Sequence, residues 1–514
     1  MSLVKSTGVV ALSTLCSRIL GLVRDVLMAA YFGAARTADV FYVAFMIPNL
    51  FRRLVAEGAL TISFIPVYTE TLIKEGEEEA KKLAVKTMSV QFFAIALIVA
   101  AGIIFSPYFM KIFFGRNDTP EIFNLSVNLI RLMFPYLFFV GFVAFAMGYL
   151  NSHRIFFAPA FSPVLLNVGI ITGIVGLSKL FAESIYGVAI GVLLGGLLQF
   201  LLQLPYLKKS GFKFYFSLDF KHPGIRNIFK MLTPALFGIA VYQINTLVSN
   251  LLASMISEGS VTYIYYTNRL TELVLGVFII SIGNVILPEM SRLSASADSK
   301  RFKDLFSASL SSAIFISIPA AVGLISFGVP IISVIFMHGR FTFNDCILTY
   351  SSLVTASIGI VFIAGLRITT QAFYSMKDTK TPVISATVAL VLNIIFGYTL
   401  MQTSLKHAGL TLANSISAAV QMMILFLRLK QTTGGVDLKK VLFSFLKSAI
   451  AALFMGIAVY LFSMLINWQS SVFYLKLIYM TLIIISAGII YFFLCYLLKS
   501  EEVYFILKRV RSRL

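Results

Sequence analysis

Apolar runs near the length of a membrane-spanning helix recur along this chain from one end to the other. A hydrocarbon core of ~30 Å takes about 20 apolar residues of helix. Fourteen segments of this kind can be counted, at approximately 7–32, 38–69, 84–108, 122–150, 158–178, 185–207, 228–257, 262–292, 304–328, 346–374, 382–402, 408–430, 441–466 and 472–498. Of the 514 residues 59% are hydrophobic and 12% charged, and mean hydropathy is +0.91, which excludes a soluble globular protein. The runs lack the period-two alternation of barrel strands. The expected fold is therefore an all-α polytopic membrane protein with 14 transmembrane helices. The first segment is too long for a signal peptide, and no small-residue cleavage site ends it cleanly, so none is expected.

The segments are not uniformly apolar. The first carries Arg18, Arg24 and Asp25, and the second Asp39, Asn49, Arg52, Arg53 and Glu57. An arginine at the bilayer centre costs roughly 2.5–3.5 kcal/mol on insertion scales. Such residues must face one another or a watery cavity. At 100° per residue Arg18, Gly21, Arg24 and Asp25 fall within about a third of one helix circumference. Pro48 frees backbone carbonyls near Asn49, which is tolerable only beside protein or water. Arg53 and Glu57 stand at i, i+4 and can pair. Arg24 can be neutralised by Asp25 or Asp39. Arg269 and Glu272 lie one turn apart in segment 8, and Arg131 and Arg367 also fall in apolar segments. The excess of Arg18, Arg24, Arg52 and Arg269 predicts a basic cavity that takes an anion. The planar fork of arginine suits phosphate or diphosphate. A lipid-linked diphosphate fits best, its headgroup in the cavity and its tail in lipid.

Loop charges predict the orientation. One set of loops holds Lys74, Lys81, Lys82, Lys86, Arg154, Lys208, Lys209, Lys213, Lys221, Arg226 and Lys230, and continues through Arg292, Lys300, Arg301, Lys377, Lys380, Arg428 and Lys430 to the tail. The opposite set holds little more than Arg36, Arg116, Lys179, Arg340 and Lys406. Both termini are therefore expected on the cytoplasmic side. Most of the net charge of +20 belongs to these loops and does not imply nucleic acid.

The chain also repeats. Ser106–Arg116 resembles Val329–Arg340, Phe64-Ile65-Pro66 matches Ile286-Leu287-Pro288, and Gly148-Tyr149-Leu150 with Asn167 matches Phe373-Tyr374-Ser375 with Asn393, at offsets of about 222–226 residues. Two parallel-repeat six-helix lobes plus two extra C-terminal helices follow: an N-lobe at 1–207, a basic linker at 208–227, a C-lobe at 228–430, and segments 13 and 14 with a basic tail at 431–514. Cys16, Cys346 and Cys495 and the four histidines form no metal spacing. No catalytic cluster at the interface marks a lipid-metabolising enzyme. Neither a metal nor a cofactor is expected.

Ser17 to Tyr68 (SRILGLVRDVLMAAYFGAARTADVFYVAFMIPNLFRRLVAEGALTISFIPVY), Tyr265 to Glu272 (YYTNRLTE), Ile286-Leu287-Pro288 and Lys377 to Pro382 (KDTKTP) closely resemble the MurJ (MviN) lipid II flippases of the MOP exporter superfamily. The resemblance covers essentially the whole chain. It implies alternating-access movement of lipid II, the undecaprenyl-diphosphate-linked peptidoglycan precursor, from the inner to the outer leaflet of the bacterial cytoplasmic membrane. It implies that Arg18, Arg24, Arg52 and Arg269 engage the diphosphate and headgroup and that Asp25 organises them. It makes Asp39 and Glu57 candidates for the outward gate, with Asn49, Arg53 and Glu272 at the gate or cavity. It gives segments 13 and 14 a groove for the lipid tail. Lipid II, membrane lipids and cell-wall synthesis and division proteins are the candidate partners. The alternative is an exporter of another lipid-linked oligosaccharide or anionic substrate of the same superfamily. Some family members carry acids on segments 7 and 11 in what looks like a sodium site. This chain has Gln243 and Asn245, then Asn393 and Gly397, so the membrane potential or another ion gradient is the expected drive.

Overall fold

Long apolar stretches become long helices here, and Pro107 of Glu77–Phe114 and Pro319 and Pro330 of Ser299–Phe336 do not end them. The computed structural model describes residues 3–53, 59–114, 118–433, 437–469 and 472–511, and among them the regular structure is helical, with no strand. The chain divides into two compact units, Met1–Gly259 and Ser260–Leu514.

The first unit holds α1 (Leu3–Phe32), α2 (Arg36–Phe51), α3 (Ala59–Lys74), α4 (Glu77–Phe114), α5 (Pro120–Met133), α6 (Tyr136–Ser152), α7 (Phe157–Thr172), α8 (Ile185–Lys209) and α9 (Pro223–Ser254). Lipid tails are as apolar as leucine, so helices in a membrane associate through close backbone approach and interhelical hydrogen bonds. The α7–α8 contact shows the first device. Gly169 and Gly173, one turn apart, face Gly187, Gly191 and Gly195 of α8. A Cβ at Gly191 would lie 2.7 Å from the Gly169 carbonyl oxygen and 2.9 Å from Gly173 Cα.

At the end bearing the basic loops, an aromatic core fills the space between α3 and α6. Phe64, Phe145, Tyr68 and Tyr149 are fully buried there, with Phe212 of the following strap packed in. The strap runs from Ser210 to His222 in an irregular conformation across α4. The Ser217 amide donates to Ser89 Oγ at 2.9 Å, and Lys86 pairs with Asp219 at 2.9 Å. The Lys86 ammonium holds the Asp219 carboxyl below the usual carboxylate range.

The second unit holds α10 (Ser260–Val274), α11 (Ile280–Ala295), α12 (Ser299–Phe336), α13 (Phe343–Ser375), α14 (Lys380–Leu400), α15 (His407–Thr433), α16 (Leu438–Met464), α17 (Phe473–Leu497) and α18 (Glu501–Arg511). Hydroxyls stitch α13 to α15. Thr355 Oγ1 and Thr411 Oγ1 share a hydrogen bond, and Ser415 Oγ donates to the Thr355 carbonyl at 2.8 Å. The Tyr491 hydroxyl donates to the Phe315 carbonyl at 2.7 Å and ties α17 to α12.

Ten helices among the described residues are long and apolar enough to cross a membrane. They coincide with expected segments 3–6 and 9–14. Segments 1, 2, 7 and 8 are not among the ten, so the full count of fourteen is not reached there. Segment 2 holds α2 and α3, of 16 residues each, with residues 54–58 between them outside the described ones, and segment 8 is α10, a π-turn and α11 in one uninterrupted helical run. The two segments share one feature. Arg52 and Arg53 take π-helical geometry, and Leu275–Ile279 is a π-turn. Positions 53 and 275 stand 222 apart, the offset that also relates Pro66 to Pro288. A π-turn inserts a residue into the ladder and redirects side chains, which is why it collects at functional positions.

Candidate functional site

The first predicted group assembles on α1 and α7. Arg24 donates to Asp25 Oδ1 through Nε at 3.0 Å and through Nη2 at 2.8 Å. Its Nη1 donates to Asn167 Oδ1 on α7 at 3.0 Å, and Asn167 Nδ2 donates to the Ser17 carbonyl at 3.0 Å. The Asp25 side chain is fully buried and that of Arg24 is 13% exposed. Of the two acids the spacing allowed for Arg24, the structure places Asp25 against it. The pair is neutral, and the guanidinium plane is set by groups on two helices. Arg18 lies about two turns earlier on α1 and is exposed. Asn167 is legible in the sequence as a repeat-matched polar residue, but nothing in one sequence marks it as the partner of Arg24.

Arg52 has no acid in ideal register on its own helix, and the structure supplies an amide instead: Nε donates to Asn49 Oδ1 at 2.7 Å. Arg52 also lines a recess of about 10 Å³, scarcely the room of one water, with Phe51, Ile95, Ile98, Leu137, Val140 and Gly141. Apart from the arginine the lining is apolar, and the volume is below that of ordinary ligand pockets. Arg53 is half-buried beside it. Its expected partner Glu57 lies outside the described residues.

Asp39 belongs to a separate cluster at the opposite end of the unit from the basic loops. Its side chain is fully buried and 3.7 Å from Arg36 Nη1, and its Oδ2 accepts from the Gly259 amide at 2.8 Å. Arg36 grips Asp118 with two parallel bonds of 2.7 Å from Nε and Nη2 and donates from Nη2 to the Ser254 carbonyl at 3.0 Å. The Arg36 amide donates to Glu258 Oε1 at 2.8 Å, and its guanidinium lies 5.0 Å from the centre of the Phe114 ring. The start of α2, the ends of α4 and α9, and the loop before α5 are tied at this point. Sequence reading counted Arg36 as an ordinary loop charge and singled out neither Asp118 nor Glu258. The one available signal was the i, i+3 spacing of Arg36 and Asp39.

In the second unit Arg269 is half-buried on α10 and Glu272 is exposed one turn later. Asn393, matched to Asn167 by the repeat, is 3% exposed on α14. Among the described residues no group of three or more His, Cys, Asp or Glu could hold a metal ion.

Guanidiniums in apolar segments, Arg24 held by an acid and an amide and Arg52 by an amide, suit a membrane protein that handles an anion. Known structures agree on the fold. A solved structure described as lipid II flippase MurJ in an inward closed conformation superposes with a TM-score of 0.80 at 28% identity, over 97% of this chain and 99% of that one. An inward-facing multidrug resistance MATE family transporter of the MOP superfamily gives a TM-score of 0.68 at 15% identity, over 81% of this chain and 94% of that one, and shows the shared fold. These comparisons define a polytopic helical membrane protein with the fold that these two structures share.

The sequence comparisons are narrower. A family model described as lipid II flippase MurJ matches residues 28–481. The chain is 34% identical over 436 residues to the lipid II flippase MurJ of Burkholderia cenocepacia, covering 84% of each chain, and 37% identical over 432 residues to the probable lipid II flippase MurJ of Vibrio cholerae, covering 82% of each. The chain belongs to the MurJ family.

Proposed function

We propose that this protein is a lipid II flippase of the bacterial inner membrane. It carries the undecaprenyl-diphosphate-linked headgroup from the inner to the outer leaflet by alternating access. The observation that carries the reading is the arginine of a spanning helix, Arg24, oriented by Asp25 and Asn167 from two helices. Such a group is preorganised for diphosphate, because the fork need not be reoriented when the anion arrives.

In this reading Arg18, Arg24, Arg52 and Arg269 receive the diphosphate, and Asp25 keeps Arg24 oriented while limiting the net charge to be desolvated. Asn49 plays the same positioning part for Arg52. Arg53 and Glu272 line the pathway. Asp39, tied to Arg36 and Gly259, fastens the outward side and releases when the protein opens there. The basic loops lie in the cytoplasm, which places both termini inside. The membrane potential supplies the drive, since each unit charge crossing it is worth about 2.3 kcal/mol per 100 mV. The family's substrate, and no other lipid-linked oligosaccharide, is the cargo.

The test is translocation of labelled lipid II in proteoliposomes, read by access of an external reagent to the headgroup. Movement above protein-free vesicles, accelerated by an imposed potential, is expected. Movement of a polyprenyl glycoside lacking the diphosphate at the same rate would remove the arginines from the account.

A further inference from the structure

Arg131 has no part in the site above, and its surroundings are unusual for a membrane helix. On α5 beyond Pro120 the exposed positions are Glu121, Asn124, Asn128 and Arg131, at spacings of three, four and three, while Leu125, Val127, Leu129 and Ile130 are buried. This is a polar stripe on an outer face, with Arg131 its deepest member. It lies in the groove between α4 and α8: Arg131 Nε donates to Ser106 Oγ at 2.9 Å and to the Ile103 carbonyl at 3.3 Å, and Asn128 Nδ2 donates to the Tyr186 hydroxyl at 3.3 Å.

The depth follows from α4. Lys86 marks the basic-loop end through its pair with Asp219. Ser106 lies about 20 residues further on, which is ~30 Å of helix and one hydrocarbon thickness. Ser106 and Arg131 therefore stand at the far boundary of the hydrocarbon, where lipid phosphates begin. Tyr108 and Lys111, both exposed on α4, follow toward the same end, as a tyrosine and a lysine do at the headgroup level.

Both bonds that fix Arg131 are made by Nε. Among the described residues Nη1 and Nη2 have no hydrogen-bond partner, and the side chain is exposed. A guanidinium held by its inner nitrogen with its outer pair open presents the edge that takes two phosphate oxygens. The one acid on the stripe, Glu121, is ten residues away at the helix start, ~15 Å up the axis.

We infer that Arg131, anchored by Ser106 on α4, is a seat for the phosphate of a lipid in the leaflet opposite the basic loops. That this is the outer leaflet rests on the orientation proposed above; the site itself does not. Two lipids share the chemistry, a bulk anionic phospholipid and a polyprenyl phosphate.

Native mass spectrometry of the delipidated full chain in detergent, titrated with phosphatidylglycerol, with undecaprenyl phosphate or with diacylglycerol, tests the seat. Wild type should retain one high-affinity phosphate-bearing lipid and no diacylglycerol. Arg131→Gln should weaken that adduct about tenfold, the scale of a charge-assisted bond pair. Ser106→Ala should weaken it less, and Arg131→Lys should restore part of it. Should Arg131→Gln fail to fold, Ser106→Ala and Arg131→Lys carry the comparison. Loss confined to one lipid identifies the source, and loss of both assigns the seat to phosphate in general. Equal retention of both lipids by folded Arg131→Gln and wild type overturns the inference and leaves Arg131 as a stitch between α4 and α5.

Discussion

Asn167 on α7 accepts from Arg24 Nη1 at 3.0 Å and donates to the Ser17 carbonyl of α1 at 3.0 Å, so one amide holds both the arginine and the helix that carries it. Asp25 supplies the charge, but Asn167 sets the direction. Asn167→Ala should therefore leave the Arg24–Asp25 pair in place and lower lipid II translocation about tenfold, the scale of a hydrogen bond to a charged group. A rate equal to wild type would reduce Asn167 to a packing residue.

The Arg36 cluster predicts a different pattern. Arg36→Ala strips the guanidinium from Asp118 and removes the cation that stands 3.7 Å from fully buried Asp39, and removing one member of a buried pair costs about 3–5 kcal/mol. The melting temperature of the purified protein should fall sharply in Arg36→Ala. Part of the loss should return in Arg36→Ala combined with Asp118→Asn, because the second change removes a stranded charge. A double variant as unstable as the sum of the two single ones would show that the pair is not coupled.

Glycine substitutions should separate by location. A Cβ at Gly191 meets α7 backbone within 3 Å, whereas one at Gly488 on α17 meets nothing within 4 Å. Gly191→Ala should push α7 and α8 apart and lower folded yield several-fold. Gly488→Ala should be neutral or slightly stabilising. Equal yields would mean that the α7–α8 glycine contact is dispensable.

The strap over α4 supplies a pH prediction. The Asp219 carboxyl is held below its ordinary value by Lys86, so its tie is present above the ordinary carboxylate pKa near about 3.9 and is lost as pH falls through the lower folded value. Labelling of a cysteine placed by Ser217→Cys, normalised at each pH to a free thiol, should be slow and flat from neutral pH down to about 4, and should rise only below that. With Asp219→Asn it should be faster at every pH. Flat and identical labelling in both would assign the strap's position to its aromatic contacts alone.

The sequence carried the fold class because bilayer thickness writes itself into apolar run length. It singled out Arg18, Arg24, Arg52 and Arg269 as candidates because a charge in an apolar run is conspicuous. It could not show the π geometry at Arg52–Arg53 and at Leu275–Ile279, since a one-residue insertion in the hydrogen-bond ladder leaves the apolar pattern nearly intact. Nor could it pair Arg24 with Asn167, 143 residues away, or Arg36 with Asp118, because long-range contact has no local signature. Polar residues at helix ends, where loops are expected to be polar, hid the Arg36 cluster most completely.

The central claim is that the diphosphate rides on arginines of the spanning helices. Its most direct test is lipid II binding and translocation in proteoliposomes by Arg24→Ala and Arg269→Ala, each checked for folding by its melting curve. The account predicts that folded variants lose translocation by at least about tenfold and bind lipid II more weakly, as expected when a charge-assisted contact to phosphate is removed. Folded Arg24→Ala and Arg269→Ala proteins that flip lipid II at the wild-type rate would contradict it.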